Sequence, residues 1–182
     1  MIPQEDLFVA RSHGGNRPPL LSLVRAFRPL MSLRRLRELV IHLLNGISLD
    51  DDELARTAGS WPSIEVLKLA PLVSRWGAWS MAGSVTFSGL STLFVSCPKL
   101  RELDLPLGAR EVPSITLSDP CNTAIQSPRL SGRPISDPDR VARFLRTHLP
   151  SVSSVVDGSY DPTEYSDLWS QVDARLPGWV LH

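Results

Sequence analysis

Aliphatic residues recur along the chain in a short pattern of fixed spacing. Three segments, 36–41, 64–69 and 100–105, fit L-x-x-L-x-L with only aliphatic residues at the fixed positions. The alternation in the second half of this pattern predicts a short strand with one buried face. Trp61-Pro62-Ser63 and Cys97-Pro98-Lys99 stand directly before the second and third copies. The chain therefore contains an internal repeat.

Two weaker copies follow, and their first fixed positions are taken as Leu130 and Val152. The first positions at 36, 64, 100, 130 and 152 give steps of 28, 36, 30 and 22 residues. These steps bracket the roughly 20–29 residues of a leucine-rich repeat with insertions.

The linking segments predict helices. Asp50 as N-cap with Glu53 three positions later resembles a capping box, and Gly59 suits the position after that helix. Residues 86–96 place their apolar side chains on one helical face. Pro138 and Pro162 each suit the first turn of a further helix.

Alternating strands and helices indicate an α/β fold. We expect a leucine-rich-repeat solenoid with parallel strands on the concave side and helices on the convex side, because one repeat cannot cover its own apolar face. A small doubly wound α/β sheet is the alternative. The recurring register and the lack of a continuous Val/Ile-rich strand favour the solenoid.

Three regions follow from this interpretation. Residues 1–30 form an N-terminal segment, partly loose, with one helix over residues 20–27. Residues 31–158 hold irregular repeats, with a disordered or irregular insertion over 106–135 where five prolines accumulate. Residues 159–182 form a C-terminal capping helix and tail.

Composition narrows the function classes. The 182 residues carry 19 basic and 19 acidic side chains, so no general electrostatic grip on nucleic acid or on an anionic membrane is expected. No apolar run is long enough for a membrane helix, and the N-terminus lacks the apolar core of a secretory signal. Two cysteines are too few for a disulfide framework, which indicates a cytoplasmic or nuclear protein.

The two better-preserved copies carry a family resemblance. Residues 61–69, WPSIEVLKL, and 97–105, CPKLRELDL, resemble the cysteine-containing leucine-rich repeats of F-box proteins. The arginine-rich style and the LWSQV helix at 168–172 are similar to F-box-like proteins of mushroom-forming fungi. In that family the repeats present substrates, and a separate F-box holds the adaptor of a cullin-type ubiquitin ligase.

The resemblance covers residues 30–176 and has two departures. No F-box is expected among the 30 residues before the first repeat, so an adaptor would be a partner only if an F-box lies upstream. The asparagine that usually follows L-x-x-L-x-L is replaced by Leu44, Leu72 and Gly108. The resemblance thus implies a substrate-recognition arm or a truncated relative.

Candidate chemistry is sparse. His13-Gly14-Gly15 resembles the oxyanion turn of esterases, but the chain has no G-x-S-x-G pentapeptide. Cys97 closes the apolar face of its helix and is expected to be a buried structural thiol, whereas Cys121 is a loop cysteine. The acidic run 50–53 lacks the spacing of a calcium loop. We expect no catalytic residue, metal or cofactor.

The most plausible binding surface is the concave face, because side chains between the strand leucines point away from the core. Its predicted members are Glu38, Val40, His42, Val66, Lys68, Glu102 and Asp104. Lys68 is expected to pair with Glu38 or Asp104 across strands. Trp76 and Trp79, in a long insertion, form the alternative partner site.

The function expected from the sequence is a non-enzymatic protein-interaction scaffold, in the form of a substrate-recognition arm of an F-box-type ubiquitin ligase. Two alternatives stay open. One is an α/β hydrolase-like enzyme, and the other is a degenerate fragment without independent function.

Overall fold

The structure is a computed structural model that describes residues 21–22, 27–43, 47–71, 85–114, 120–131, 135–157 and 165–177. Within these ranges the chain is an α/β protein with four α-helices and one 3₁₀ turn at Leu30–Ser32. The strands are β1 Leu21–Ser22, β2 Glu38–Leu43, β3 Ile47–Ser48, β4 Val66–Pro71, β5 Glu102–Pro106, β6 Arg129–Ser131 and β7 Val156–Asp157. The helices are α1 Asp51–Ala58, α2 Phe87–Ser96, α3 Pro138–His148 and α4 Ser166–Asp173.

The main sheet has five strands in the order β2-β4-β5-β6-β7, and every neighbouring pair is parallel. The strand order is therefore the chain order. The two short strands β1 and β3 form a separate parallel pair. Successive helices contact each other, since α1 packs on α2 and α3 on α4, while the rings of Phe87 in α2 and Phe144 in α3 lie 4.4 Å apart.

The register of the first three repeat strands agrees with the alignment made from the sequence. Leu39 pairs with Leu67, and Leu67 pairs with Leu103. These leucines are buried and belong to one continuous core. Apolar residues at matching positions thus stack from strand to strand, which buries the repeated aliphatic face.

The fourth repeat begins five residues earlier than the sequence analysis placed it. Leu105 pairs with Leu130, so Leu130 occupies the third fixed position and not the first. Ile125, fully buried, is then the first fixed residue. First positions at 36, 64, 100, 125 and 152 give steps of 28, 36, 25 and 27 residues. The sequence concealed this register because Pro128 stands where the other repeats have an aliphatic residue.

Side-chain caps begin three of the helices. The Asp50 carboxylate accepts from the Glu53 N–H at 2.7 Å, as the sequence predicted. Thr86 and Asp137 cap α2 and α3 by accepting from Ser88 and Arg140 respectively. Each cap satisfies a backbone donor that the first helical turn leaves unpaired.

The start of α2 is also tied to α1. Asp51 accepts from the Thr86 N–H at 2.7 Å and from the Thr86 hydroxyl at 2.6 Å. Gly89 leaves the room for this carboxylate, because a Cβ at Gly89 would overlap Asp51 Oδ1. The two contacts fix the position of one helix against the next.

Two segments differ from the structure that the sequence predicted. Leu21–Ser22 form strand β1, where the sequence predicted a helix. The predicted insertion 106–135 contains β6, and Leu107, Ala109 and Val112 lie in the core. The sequence predicted an irregular segment because proline and polar residues surround Leu130 of β6.

The C-terminal helix is fastened to the last strand. Asp173 of α4 accepts the Val155 N–H at 2.6 Å, and Trp169, Val172 and Leu176 are buried. Among the described residues, none of the helices combines the length and the apolar character needed to cross a membrane.

Candidate interaction surface

The register brings the predicted binding residues into two rows on one face of the sheet. Glu38, Val66 and Glu102 are successive neighbours in one row. Val40, Lys68 and Asp104 form the next row. The two rows lie beside each other because every second residue of a strand points to the same face. His42 pairs with Ala70 through the backbone, and its side chain lies outside the described residues.

The second row continues across all five strands. Asp104 pairs with Arg129, and Arg129 pairs with Val156. The sequence analysis missed Arg129 because it placed the fourth repeat in another register, and it did not extend the row to Val156 of the fifth repeat. One signal in the sequence could have found Arg129. The dipeptide Arg129-Leu130 resembles Lys68-Leu69 and Asp104-Leu105, in which a charged residue precedes the last leucine of L-x-x-L-x-L.

These side chains differ in their access to solvent. Glu38 and Glu102 are exposed, and Val40 and Lys68 are half-buried. Val66 and Asp104 are only 4% and 8% exposed, so a partner would meet little of either. The accessible part of the predicted site therefore consists of Glu38 and Glu102, together with the exposed portions of Val40 and Lys68.

Cations contact two of the three predicted carboxylates on this face, Glu102 and Asp104. Lys68 Nζ lies 2.7 Å from Glu102 Oε2, a diagonal pair and not the predicted pairing with Glu38 or Asp104. The hydrogen bond from Lys68 lowers the pKa of Glu102, against a small desolvation that raises it, and the charges of Lys68 and Arg101 lower it further. Arg129 Nε lies 3.8 Å from Asp104 Oδ2. The predicted residues include three carboxylates and one lysine, and Arg129 adds a second cation, so one carboxylate remains in excess among them.

The C-terminal half of the same face is small and polar. The hydroxyls of Ser127 and Ser154 lie 2.9 Å apart, and each serine stands two residues before its strand, β6 or β7. Val156 is 40% exposed beside Arg129. This half offers hydroxyls and one apolar side chain without a cluster of like charge.

Two buried polar residues hold the repeats together behind this face. Asn122 donates from its amide nitrogen to the Leu100 carbonyl at 2.8 Å and accepts from the N–H groups of Ala124 and Ile125. His148 stacks on Phe144 with ring centroids 3.8 Å apart, and its Nδ1 lies 2.9 Å from the Phe144 carbonyl. Asn122 thus links the third turn to the fourth, and its backbone N–H donates to the His148 carbonyl at the end of α3 at 2.7 Å. These contacts indicate a structural role.

The thiols fall into two environments. Cys97 is fully buried, and its Sγ lies 3.6 Å from the Ala58 carbonyl and 3.7 Å from that of Trp61. Burial raises the pKa of Cys97 to about 12, so the thiolate that a nucleophile requires is disfavoured. Cys121 is exposed.

The other candidate groups of the sequence are not described. His13-Gly14-Gly15, Trp76 and Trp79 lie outside the described residues. Within the part of the chain that the structure describes, no three His, Cys, Asp or Glu side chains come together as a possible metal site. Neither the protein-family models nor the curated proteins compared with this chain gave a match.

Proposed function

We propose that the chain is a leucine-rich-repeat interaction scaffold that binds a protein partner on the sheet face carrying Glu38 and Glu102. The supporting observation is the sheet itself, in which five parallel strands follow the chain order and align the repeats. A doubly wound sheet reverses its strand order at a switch point. A solenoid adds each repeat beside the previous one, which leaves one face of the sheet open along its length.

The further assignment, a substrate-recognition arm of an F-box-type ubiquitin ligase, rests on the resemblance of residues 61–69 and 97–105. In such an arm the repeats capture the substrate and a separate module binds the adaptor. Affinity capture with the full-length gene product tests this assignment. Recovery of the adaptor together with a cullin supports it, and recovery of neither argues against it.

The binding face is tested with charge reversals at its exposed carboxylates. Glu38→Lys with Glu102→Lys should abolish capture of any partner that uses this face. The matched control, Glu111→Lys with Asp167→Lys, makes the same change in net charge at exposed positions elsewhere. Asp104 is left unchanged because it is buried beside Arg129.

The result expected is loss of a captured protein in the first variant and its retention in the control. Circular dichroism and the thermal transition of both variants must match those of the parent chain. If both variants retain every captured protein, the sheet face is not the binding site. A turnover assay across ester substrates covers the hydrolase alternative, which draws no support from the described residues.

A further inference from the structure

The turns that lead into the first three repeat strands together carry a net positive charge. Each turn begins three residues before the first fixed L-x-x-L-x-L position and ends one residue after it. The second, third and fifth residues of the three turns are Arg34, Arg35 and Arg37, then Pro62, Ser63 and Glu65, then Pro98, Lys99 and Arg101. These nine residues include five cations and one carboxylate, an excess of four positive charges.

The three turns have the same backbone shape. Each is closed by a hydrogen bond from the first fixed residue to the carbonyl three positions earlier, at 3.0 Å for Leu36, 3.1 Å for Ile64 and 3.1 Å for Leu100. The Glu65 N–H donates to the Arg37 carbonyl at 2.7 Å, and the Arg101 N–H donates to the Glu65 carbonyl at 2.8 Å. Equivalent positions therefore stand side by side along this edge of the sheet.

Arg35 and Lys99 hold the same position in the first and third turns. Two strand spacings separate them, which corresponds to about 10 Å. Residues that are 64 positions apart in the chain thus form one basic edge, defined here as Arg34, Arg35, Arg37, Lys99 and Arg101.

The single carboxylate on this edge is already engaged. Glu65 lies 3.7 Å from Arg37 and 3.3 Å from Arg101. Arg34, Arg35 and Lys99 are exposed and form no ion pair with the residues that the structure describes. Three exposed cations on the edge thus have no carboxylate partner within the described part of the chain.

The excess charge is confined to one end of the edge. The equivalent positions of the fourth and fifth turns are Thr123, Ala124 and Gln126, then Pro150, Ser151 and Ser153, all uncharged. On a chain of zero formal net charge, this concentration gives the edge a local field that the average composition does not reveal.

We propose that the basic edge binds a short segment of a partner protein that carries two anionic side chains three residues apart. A segment in the polyproline II conformation has three residues per turn and rises about 3.1 Å per residue, so side chains three residues apart lie on one face about 9 Å apart, close to the spacing of Arg35 and Lys99. Nucleic acid fits less well, because a patch of this length meets few phosphates and its turns present no exposed aromatic platform. The inference concerns a different surface from the sheet face and does not depend on it.

The test uses the full chain and a fluorescein-labelled peptide of about nine residues, with Glu at its third and sixth positions and Ser elsewhere. A second probe replaces both Glu residues by phosphoserine, and a third replaces them by Gln. A single-stranded DNA of about 20 nucleotides is the polyanion comparison. Fluorescence anisotropy measures the dissociation constants.

The edge variant is Arg35→Glu with Lys99→Glu, which leaves the pairs of Glu65 intact. The matched control is Arg110→Glu with Arg143→Glu, two exposed arginines away from the edge. The edge variant should bind the Glu or phosphoserine peptide at least about tenfold more weakly, and the control should change it less than about twofold. Binding should weaken as salt rises from about 50 to about 200 mM, and the Gln peptide should not bind.

Four results would overturn the proposal. The first is that neither anionic peptide binds the parent chain, and the second is that the edge variant and the control lose the same affinity for the peptide. The third is that the edge variant binds the peptide as tightly as the parent chain does. The fourth is that DNA binds more tightly than the peptides and is equally sensitive to the edge variant. The thermal transition of each variant shows that it is folded, so that loss of binding is assigned to the edge.

Discussion

Asn122 offers the sharpest test of how the fourth repeat is built. It is 4% exposed and stands where the other turns have Trp61 or Cys97, three residues before the first fixed position. In those turns a backbone carbonyl accepts the N–H of the first fixed residue. In the fourth turn the Asn122 side-chain oxygen does so, at 3.1 Å from the Ile125 N–H.

The magnitude follows from three hydrogen bonds. Asn122→Ala removes the donor to the Leu100 carbonyl and the acceptor shared by the Ala124 and Ile125 N–H groups. Each net bond is worth about 0.5–1.5 kcal/mol, and buried groups left without a partner bring the cost toward the upper end. We expect the free energy of unfolding to fall by about 2–4 kcal/mol.

Urea unfolding followed by circular dichroism measures this loss, with Thr123→Ala as the exposed neighbour control. At about 2–4 °C per kcal/mol for a chain of this size, the thermal midpoint should fall by about 5–15 °C. The control should stay within about 0.5 kcal/mol of the parent chain. A loss below about 0.5 kcal/mol for Asn122→Ala would show that the side chain does not replace the turn carbonyl.

The remaining predictions concern the core, the helix contact and the thiols. Leu103→Ala should lower the free energy of unfolding by about 2–5 kcal/mol as a cavity forms between stacked strands, and a loss below about 0.5 kcal/mol in urea unfolding would contradict the register. Gly89→Ala should cost about 1–3 kcal/mol because the new Cβ displaces the Asp51 carboxylate, and it should cost much less in an Asp51→Ala background; equal costs in both backgrounds would rule out this contact as the cause. In the native chain at pH 8 a thiol reagent should modify Cys121 rapidly and Cys97 only after unfolding, because burial raises the pKa of Cys97 to about 12; equal rates would show that Cys97 is accessible.

The pH dependence contributed by the sheet face should be small. The folded pKa of Glu102 is lowered, so its stabilising contribution is present above the unfolded carboxyl pKa and is lost as the pH falls through the folded value. Glu102 and Lys68 are 45% and 37% exposed, and such surface pairs are worth about 0–1 kcal/mol. The pair of Lys68 and Glu102 therefore adds little to the pH dependence of stability.

Much of the local structure follows from the sequence alone. The pattern L-x-x-L-x-L located β2, β4 and β5 and their mutual register, because matching aliphatic positions must share one buried face. Asp50 with Glu53 marked the start of α1, since a carboxylate there satisfies a backbone donor of the first turn. These signals are local, and each involves residues within a few positions of one another.

Other features were decided only by the packing of distant segments. Leu130 has few local cues, and its pairing with Leu105 shows that it is the third fixed position. Lys68 has carboxylates within reach on both neighbouring strands, and the diagonal contact with Glu102 is the one that forms. Such choices depend on side-chain geometry across strands, which periodicity does not specify.

The basic edge illustrates the same division. The sequence shows Arg34, Arg35 and Arg37 as one small cluster, and Lys99 and Arg101 as two separate cations. Parallel strands in register bring the two groups to one edge, because each turn repeats the backbone shape of the one before. The sequence determined the repeat, the strands and the helix starts, whereas the tertiary structure determined which charges are neutralised and which stand together, since electrostatic energy depends on distance in space and not along the chain.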